Sequence, residues 1–143
     1  MSGELTPEVL MAKAVRAGAS ARVLLGLDDV DGACNRAYYA MFDAARAALL
    51  ASGALVPPNT IKTHGGLIAA FGLHLVRNGP ISRELGRLLK RAEEVRLVAD
   101  YTGDSVELDD AREMVGQAER FVEAMRAEFM PVEPKYGDEG MAP

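Results

Sequence analysis

The sequence predicts an all-α fold, an antiparallel bundle of about five helices, and three observations predict it. Apolar residues recur at spacings of three and four along most of the chain, the period at which side chains share one helix face. Residues that start and stop helices punctuate the chain at intervals suited to helices of ordinary length. No segment alternates apolar and polar residues as a half-buried strand does.

Thr6-Pro7-Glu8 is a helix start: a hydroxyl to cap, a proline at the first helical position and an acid at the positive end of the dipole. Helix one is expected to run to about Leu27. Asp28-Asp29-Val30-Asp31 supplies the break and the next cap, and the alanine-rich helix two runs to Ala51, before the left-handed stop that Gly53 offers. The turn residues Pro57-Pro58-Asn59 lead to a third, shorter helix from about Thr60 to Arg77, closed by Asn78-Gly79-Pro80. Ser82 caps helix four, which runs to about Asp100 and stops before Thr102-Gly103. Helix five begins near Asp109 and is expected to bury Ala111, Met114, Ala118, Phe121, Val122, Met125 and Phe129. The organisation is therefore one helical domain, residues 1–130, and a tail, 131–143, whose prolines and glycines predict disorder.

At about 100° per residue, helix two places Cys34, Tyr38, Met41, Phe42, Ala45 and Leu49 on one core face. The opposite side is nearly all alanine (Ala37, Ala40, Ala44, Ala47, Ala51), which invites close approach by a second cover, either a neighbouring helix or another subunit. An edge between the two carries Asn35, Tyr39 and Arg46 within about 40° of arc. In helix four, Leu85, Leu88, Leu89, Ala92, Val95 and Ala99 form an apolar stripe, while Arg83, Arg87, Lys90 and Arg91 gather on the solvated side. Arg96 lies inside the stripe. Burying an unpaired guanidinium is prohibitively costly, so Arg96 needs a partner, and Asp100, one turn on, is the nearest candidate. Either the two form an ion pair that ties down the helix end, or the stripe lines a cleft in which Arg96 meets an anion.

Charge, cysteine and histidine usage exclude several classes. The net charge of −5 argues against nucleic-acid binding by overall charge, but its distribution is uneven. Residues 77–96 hold six bases against three acids, whereas 104–139 hold eleven acids against four bases, so a polyanion is expected to meet the first segment. The single cysteine, Cys34, has no intramolecular disulfide partner and reads as a small buried hydrophobe. With no secretory pattern at the start and no apolar run near the roughly 20 residues that span a bilayer, a cytoplasmic protein is expected. His64 and His74 point about 80° apart on a helix with no acid or cysteine at ligand spacing, so no metal and no cofactor is expected. Lys62 and His64 fall in the first turn of helix three, where free N–H groups offer a candidate anion site.

Three stretches taken together, CNRAYYAMFDAARAALL, KTHGGLIAAFGLHLV and RAEEVRLVADY followed by ELDDAREMVGQAERFVEAM, resemble the HEPN-domain proteins (higher eukaryote and prokaryote nucleotide-binding), specifically their stand-alone bacterial and archaeal subgroup. The likeness runs from about Asp28 to Met125. It implies a four-helix up-and-down core plus an extra helix, frequent homodimers, and frequent pairing with a minimal nucleotidyltransferase as a toxin and antitoxin couple. Active HEPN ribonucleases carry an arginine followed four to six residues later by a histidine, two copies meeting across the dimer cleft. Arg96 matches the arginine, but five residues later stands Tyr101, and no histidine follows His74. A phenol is a poor general base at neutral pH, although it donates a hydrogen bond and is able to accept a nucleotidyl group. A polar residue on the second helix often faces the arginine in this family, and Asn35 matches that description.

The resemblance therefore implies a toxin-like or nucleotide- or RNA-binding subunit with an incomplete ribonuclease motif. Arg96, Asp100, Tyr101, Asn35 and Tyr39 are expected around the cleft, with Arg96 and Tyr101 as candidate catalytic residues. Two alternatives stand beside this: an active metal-independent endoribonuclease in which His64 or Tyr101 replaces the missing histidine, and a purely structural partner of a nucleotidyltransferase. Dimerisation through helices two and four is expected, and light scattering at micromolar concentration is the check; a monomer there would sink it.

Overall fold

The structure, a computed structural model, describes residues 5–102 and 106–130, and of residues 99–102 the backbone only. The Asp100 and Tyr101 side chains, expected in the cleft, and the tail 131–143 lie outside the described residues. The fold is an all-α bundle: α1 (Pro7–Gly26), α2 (Val30–Ser52), a 3-10 turn (Thr60–Lys62), α3 (His64–Phe71) continuing into a π-helical turn (Gly72–Arg77), α4 (Arg83–Thr102) and α5 (Leu108–Phe129). Among the described residues there is no strand.

The helix boundaries follow from local chemistry. Thr6 Oγ1 accepts a hydrogen bond from the Val9 N–H at 3.1 Å, with Pro7 opening α1 as expected. The α1–α2 connection is very short. Asp28 takes up a left-handed φ of 63°, which aspartate tolerates better than most residues. The Asp29 N–H then reaches back to the Leu24 carbonyl while its carboxylate accepts from the Gly32 N–H, both at 3.0 Å. One residue thus closes α1 and caps α2. Gly53 ends α2 with a φ of 77°, and Ser82 Oγ accepts from the Leu85 N–H to open α4.

The third helix departs from expectation. The continuous helix predicted over residues 60–77 is interrupted at Thr63, whose extended backbone lets its hydroxyl accept from the Gly66 N–H at 3.0 Å and start α3 only at His64. A Cβ on Gly66 would meet the Thr60 carbonyl oxygen, so this tight junction requires glycine. Beyond Phe71 the helix widens into a π turn, which brings Leu75 into the core and leaves Leu73 exposed.

α2 is the central element. Its core face and its alanine face are both buried, Ala37, Ala40, Ala44 and Ala47 completely, with α1 and α5 as its main neighbours. The second cover that the alanines require is thus a neighbouring helix, and the alanine face is no ground for a partner subunit. α5 buries the expected Ala111, Met114, Ala118, Phe121, Val122 and Met125, while Phe129 is only partly covered. Phe71 and Phe121, with centroids 5.6 Å apart, join α3 to α5. α4 is held more lightly: of its described residues only Leu88, Leu89 and Ala92 are fully buried.

Gly18 sits mid-helix in the α1–α2 seam, where an added Cβ would stand 4.0 Å from the Ala40 Cβ, an ordinary van der Waals distance. Gly18→Ala is expected to raise stability by about 1 kcal/mol, because it removes a helix-interior glycine and fits the seam. Urea unfolding checks this; a lower midpoint would mean that the seam has no room.

Candidate functional site

The charge on the apolar stripe of α4 is accommodated by an aromatic ring. The Arg96 guanidinium carbon lies 5.0 Å from the Tyr38 ring centroid, where the negative face of the ring attracts it. Tyr38 is 0% exposed, so its hydroxyl must find partners inside the protein. It finds His64: Tyr38 Oη and His64 Nδ1 are 2.5 Å apart. His64 also stacks on Phe42, at 4.7 Å between centroids, and meets the edge of Tyr39 at 5.8 Å. Residues of α2, α3 and α4 therefore converge on one phenol.

Electrostatics fix the state of this cluster. Burial, and next the charge of Glu93, push the Tyr38 phenol well above its ordinary value; Arg96 opposes them by its charge and by hydrogen-bonding the phenol. Tyr38 is therefore protonated and is no general base. Burial, and next the charge of Arg96, hold the His64 imidazole below its ordinary value against the pull of Glu93, which favours the neutral ring. Arginine only donates, so the Tyr38 oxygen accepts from Arg96 and its own proton goes to His64 Nδ1. That leaves the proton of the neutral imidazole on Nε2. The arrangement offers two donors, a charged guanidinium and a neutral imidazole N–H, linked through one buried hydroxyl. Chemically this suits an oxyanion such as a phosphate.

Of the residues predicted for the site, the structure brings together Arg96, His64 and Tyr39. Asn35 is exposed and accepts a hydrogen bond from the neighbouring Arg36 Nε at 3.4 Å; among the described residues no contact joins it to the cluster. Lys62 is exposed at the end of the 3-10 turn, next to the Thr63 cap but outside the cluster. Cys34 is buried, its thiol pushed up to about 11, chiefly by burial, as an inert hydrophobe requires. Among the described residues no group of three His, Cys, Asp or Glu is placed to hold a metal ion. Tyr38 and Glu93 were missed. A signal for Tyr38 existed, since a phenol on a core stripe demands a polar partner just as Arg96 does.

The family model for the HEPN domain matches residues 7–128, a span that includes the whole Tyr38 cluster. The chain belongs to the HEPN family. This HEPN chain is 37% identical over 123 residues to a UPF0332 protein of Gloeobacter violaceus, an alignment covering 83% of the chain and 94% of that protein. It is 38% identical over 94 residues to a Methanocaldococcus jannaschii protein that carries the name "Putative toxin", covering 66% of each. A UPF0332 protein of Thermotoga maritima is 35% identical over 107 residues, covering 73% of the chain and 76% of that protein.

The lowered His64 pKa makes the HEPN fold sensitive to acid. Unfolded, His64 titrates near 6.5; folded, it titrates lower, so between the two values the unfolded state binds more protons. Its contribution is fully present above about 6.5 and is lost as pH falls toward the folded value. His64→Gln is expected to flatten this part of the stability profile, measured by urea unfolding from about pH 7 to pH 5.5. An unchanged slope in the variant would contradict the half-buried, neutral imidazole.

Proposed function

We propose that this protein is the toxin-like subunit of a HEPN and nucleotidyltransferase pair, and that it binds RNA or a nucleotide through a phosphate held by Arg96 and His64. The observation that carries the reading is the line from Arg96 through Tyr38 to His64, which presents two donors on a buried, rigid support. The name of the Methanocaldococcus jannaschii relative supports the toxin-like role. A two-fold homodimer, which the family resemblance implies, completes the proposal by bringing a second copy of α4 to the Arg96 cleft. No cofactor takes part.

The second reading, a metal-independent endoribonuclease, is favoured by one observation, the approach of His64 to the arginine that the family's motif supplies. A histidine from α3 then stands in for the one absent at position 101. The hydrogen-bond order counts against it, because an imidazole protonated at Nε2 accepts no proton there until Tyr38 redirects its hydroxyl. A purely structural partner of a nucleotidyltransferase is the third reading, and it leaves the donor pair without a use.

Arg96→Met is the deciding substitution. It is expected to weaken binding of a labelled adenine nucleotide or short RNA by about tenfold or more, since a charged hydrogen-bond donor is lost. Toxicity on expression is expected to disappear. Stability is expected to change by less than about 1 kcal/mol, because a thioether over the Tyr38 ring replaces much of the cation–π contact. A folded variant with unchanged binding and toxicity would refute the phosphate site. RNA cleavage by the pure protein, lost in His64→Gln, would favour the ribonuclease.

A further inference from the structure

The Tyr38 cluster continues into a groove between α1 and α2. Lys13 and Arg16 on α1 face Arg36 and Arg46 on α2 across a depression of about 490 Å³, with Tyr39 and Phe42 in its lining. The α1 pair and the α2 pair are separated in the chain. Helical spacing aligns them, since 13 and 16 lie three apart and 36 and 46 ten apart, within about 80° of one another on each helix. A single acid, Asp43, lines the groove with them; it is 8% exposed and 3.8 Å from Arg46, leaving a strongly positive surface on an acidic protein.

The α2 cations are held in place. The Arg36 guanidinium lies over the Tyr39 ring at 5.3 Å and that of Arg46 over Phe42 at 5.7 Å. Both are half-buried, and Arg46 Nε is a buried donor without a hydrogen-bond partner among the described residues. A second basic depression, between α3 and α4, is lined by Arg77, Arg83, Arg87 and Lys90, but all four are exposed and belong to the solvated face. Of the two depressions, it is the α1–α2 groove that shares residues with the site, through Tyr39 and Phe42, both of which touch His64.

We infer that this groove is a second subsite that tracks the backbone of a single-stranded polynucleotide whose neighbouring phosphate occupies the Arg96 and His64 site. The inference rests on that site for its anchor. Cations on both walls of the groove, continued past the aromatic rings to Arg96, suit a chain of phosphates better than one anion. Tyr39, half-buried beside the groove, offers a ring for a base, the combination of cations and an aromatic platform on which single strands are held.

The test uses the full chain and three probes: a labelled oligouridylate of about ten nucleotides, uridine monophosphate, and inorganic polyphosphate of similar length. Lys13 and Arg16 are exposed, so Lys13→Gln with Arg16→Gln leaves the fold intact. This double variant is expected to bind the oligouridylate about tenfold more weakly at low salt, with a salt slope shallower by about 1.4 for two lost phosphate contacts. Its affinity for uridine monophosphate is expected to be unchanged. Tyr39→Ala is expected to weaken the oligouridylate and not the polyphosphate. Wild-type affinity and slope for the oligouridylate in the double variant would overturn the groove while leaving the phosphate site standing. Loss in the double variant together with no loss in Arg96→Met would overturn the anchor instead. Equal binding of polyphosphate and oligouridylate, both indifferent to Tyr39→Ala, would overturn the polynucleotide assignment.

Discussion

A hydroxyl sealed away from water must be satisfied by the protein around it, and the Tyr38 phenol meets that demand by drawing in two other helices. His64 arrives from the first position of α3 and Arg96 from the stripe of α4. Each of the three groups would be costly in an apolar interior alone; together they leave few polar atoms unsatisfied. The short 3-10 turn and the Thr63 cap follow from the same demand, because they set where α3 begins and so where His64 points. Gly66 belongs to this construction, since only a residue without a side chain lets the turn fold so tightly against α3.

Around that polar point the bundle is built on small residues. Ala33, Ala37, Ala40, Ala44 and Ala47 let α1 and α5 approach α2 closely, so the central helix is covered almost all round by its own chain. Close backbone approach gains dispersion contacts without ordering long side chains, an economical way to make a rigid base. α4 is attached more lightly. Of its described residues α4 commits only Leu88, Leu89 and Ala92 to the buried core, with Leu85 and Val95 packed at its edge, so the helix that carries Arg96 is among the more lightly anchored elements of the bundle.

Most of the fold was legible in the sequence because its signals are local. Thr6, Asp29, Gly53 and Ser82 cap or stop helices through neighbours a few residues away, and the period of α5 named its core almost completely. The break at Thr63 was missed because Thr60 to Arg77 lacks a proline, and a threonine that caps a helix looks the same as one within it. The site was half legible. Arg96 stood out as a charge on an apolar stripe, but the ring it lies over, Tyr38, comes from a different helix, and no pattern along α4 points to it. Asn35 was placed by analogy and lies on the surface. The basic groove was invisible for the same reason, since counting charge along the chain cannot see cations that two helices bring together.

The dual use of Asp29 has a consequence for how the protein comes into being. Because one residue ends α1 and begins α2, the first hairpin closes through contacts between near neighbours in the chain, and such contacts form fastest. During synthesis the N-terminal half emerges first, so the α1–α2 pair is available to fold before α4 exists. The cation groove lies within that early pair. The donor pair at Tyr38 awaits α3 and then α4, so the two features depend on different lengths of emerged chain.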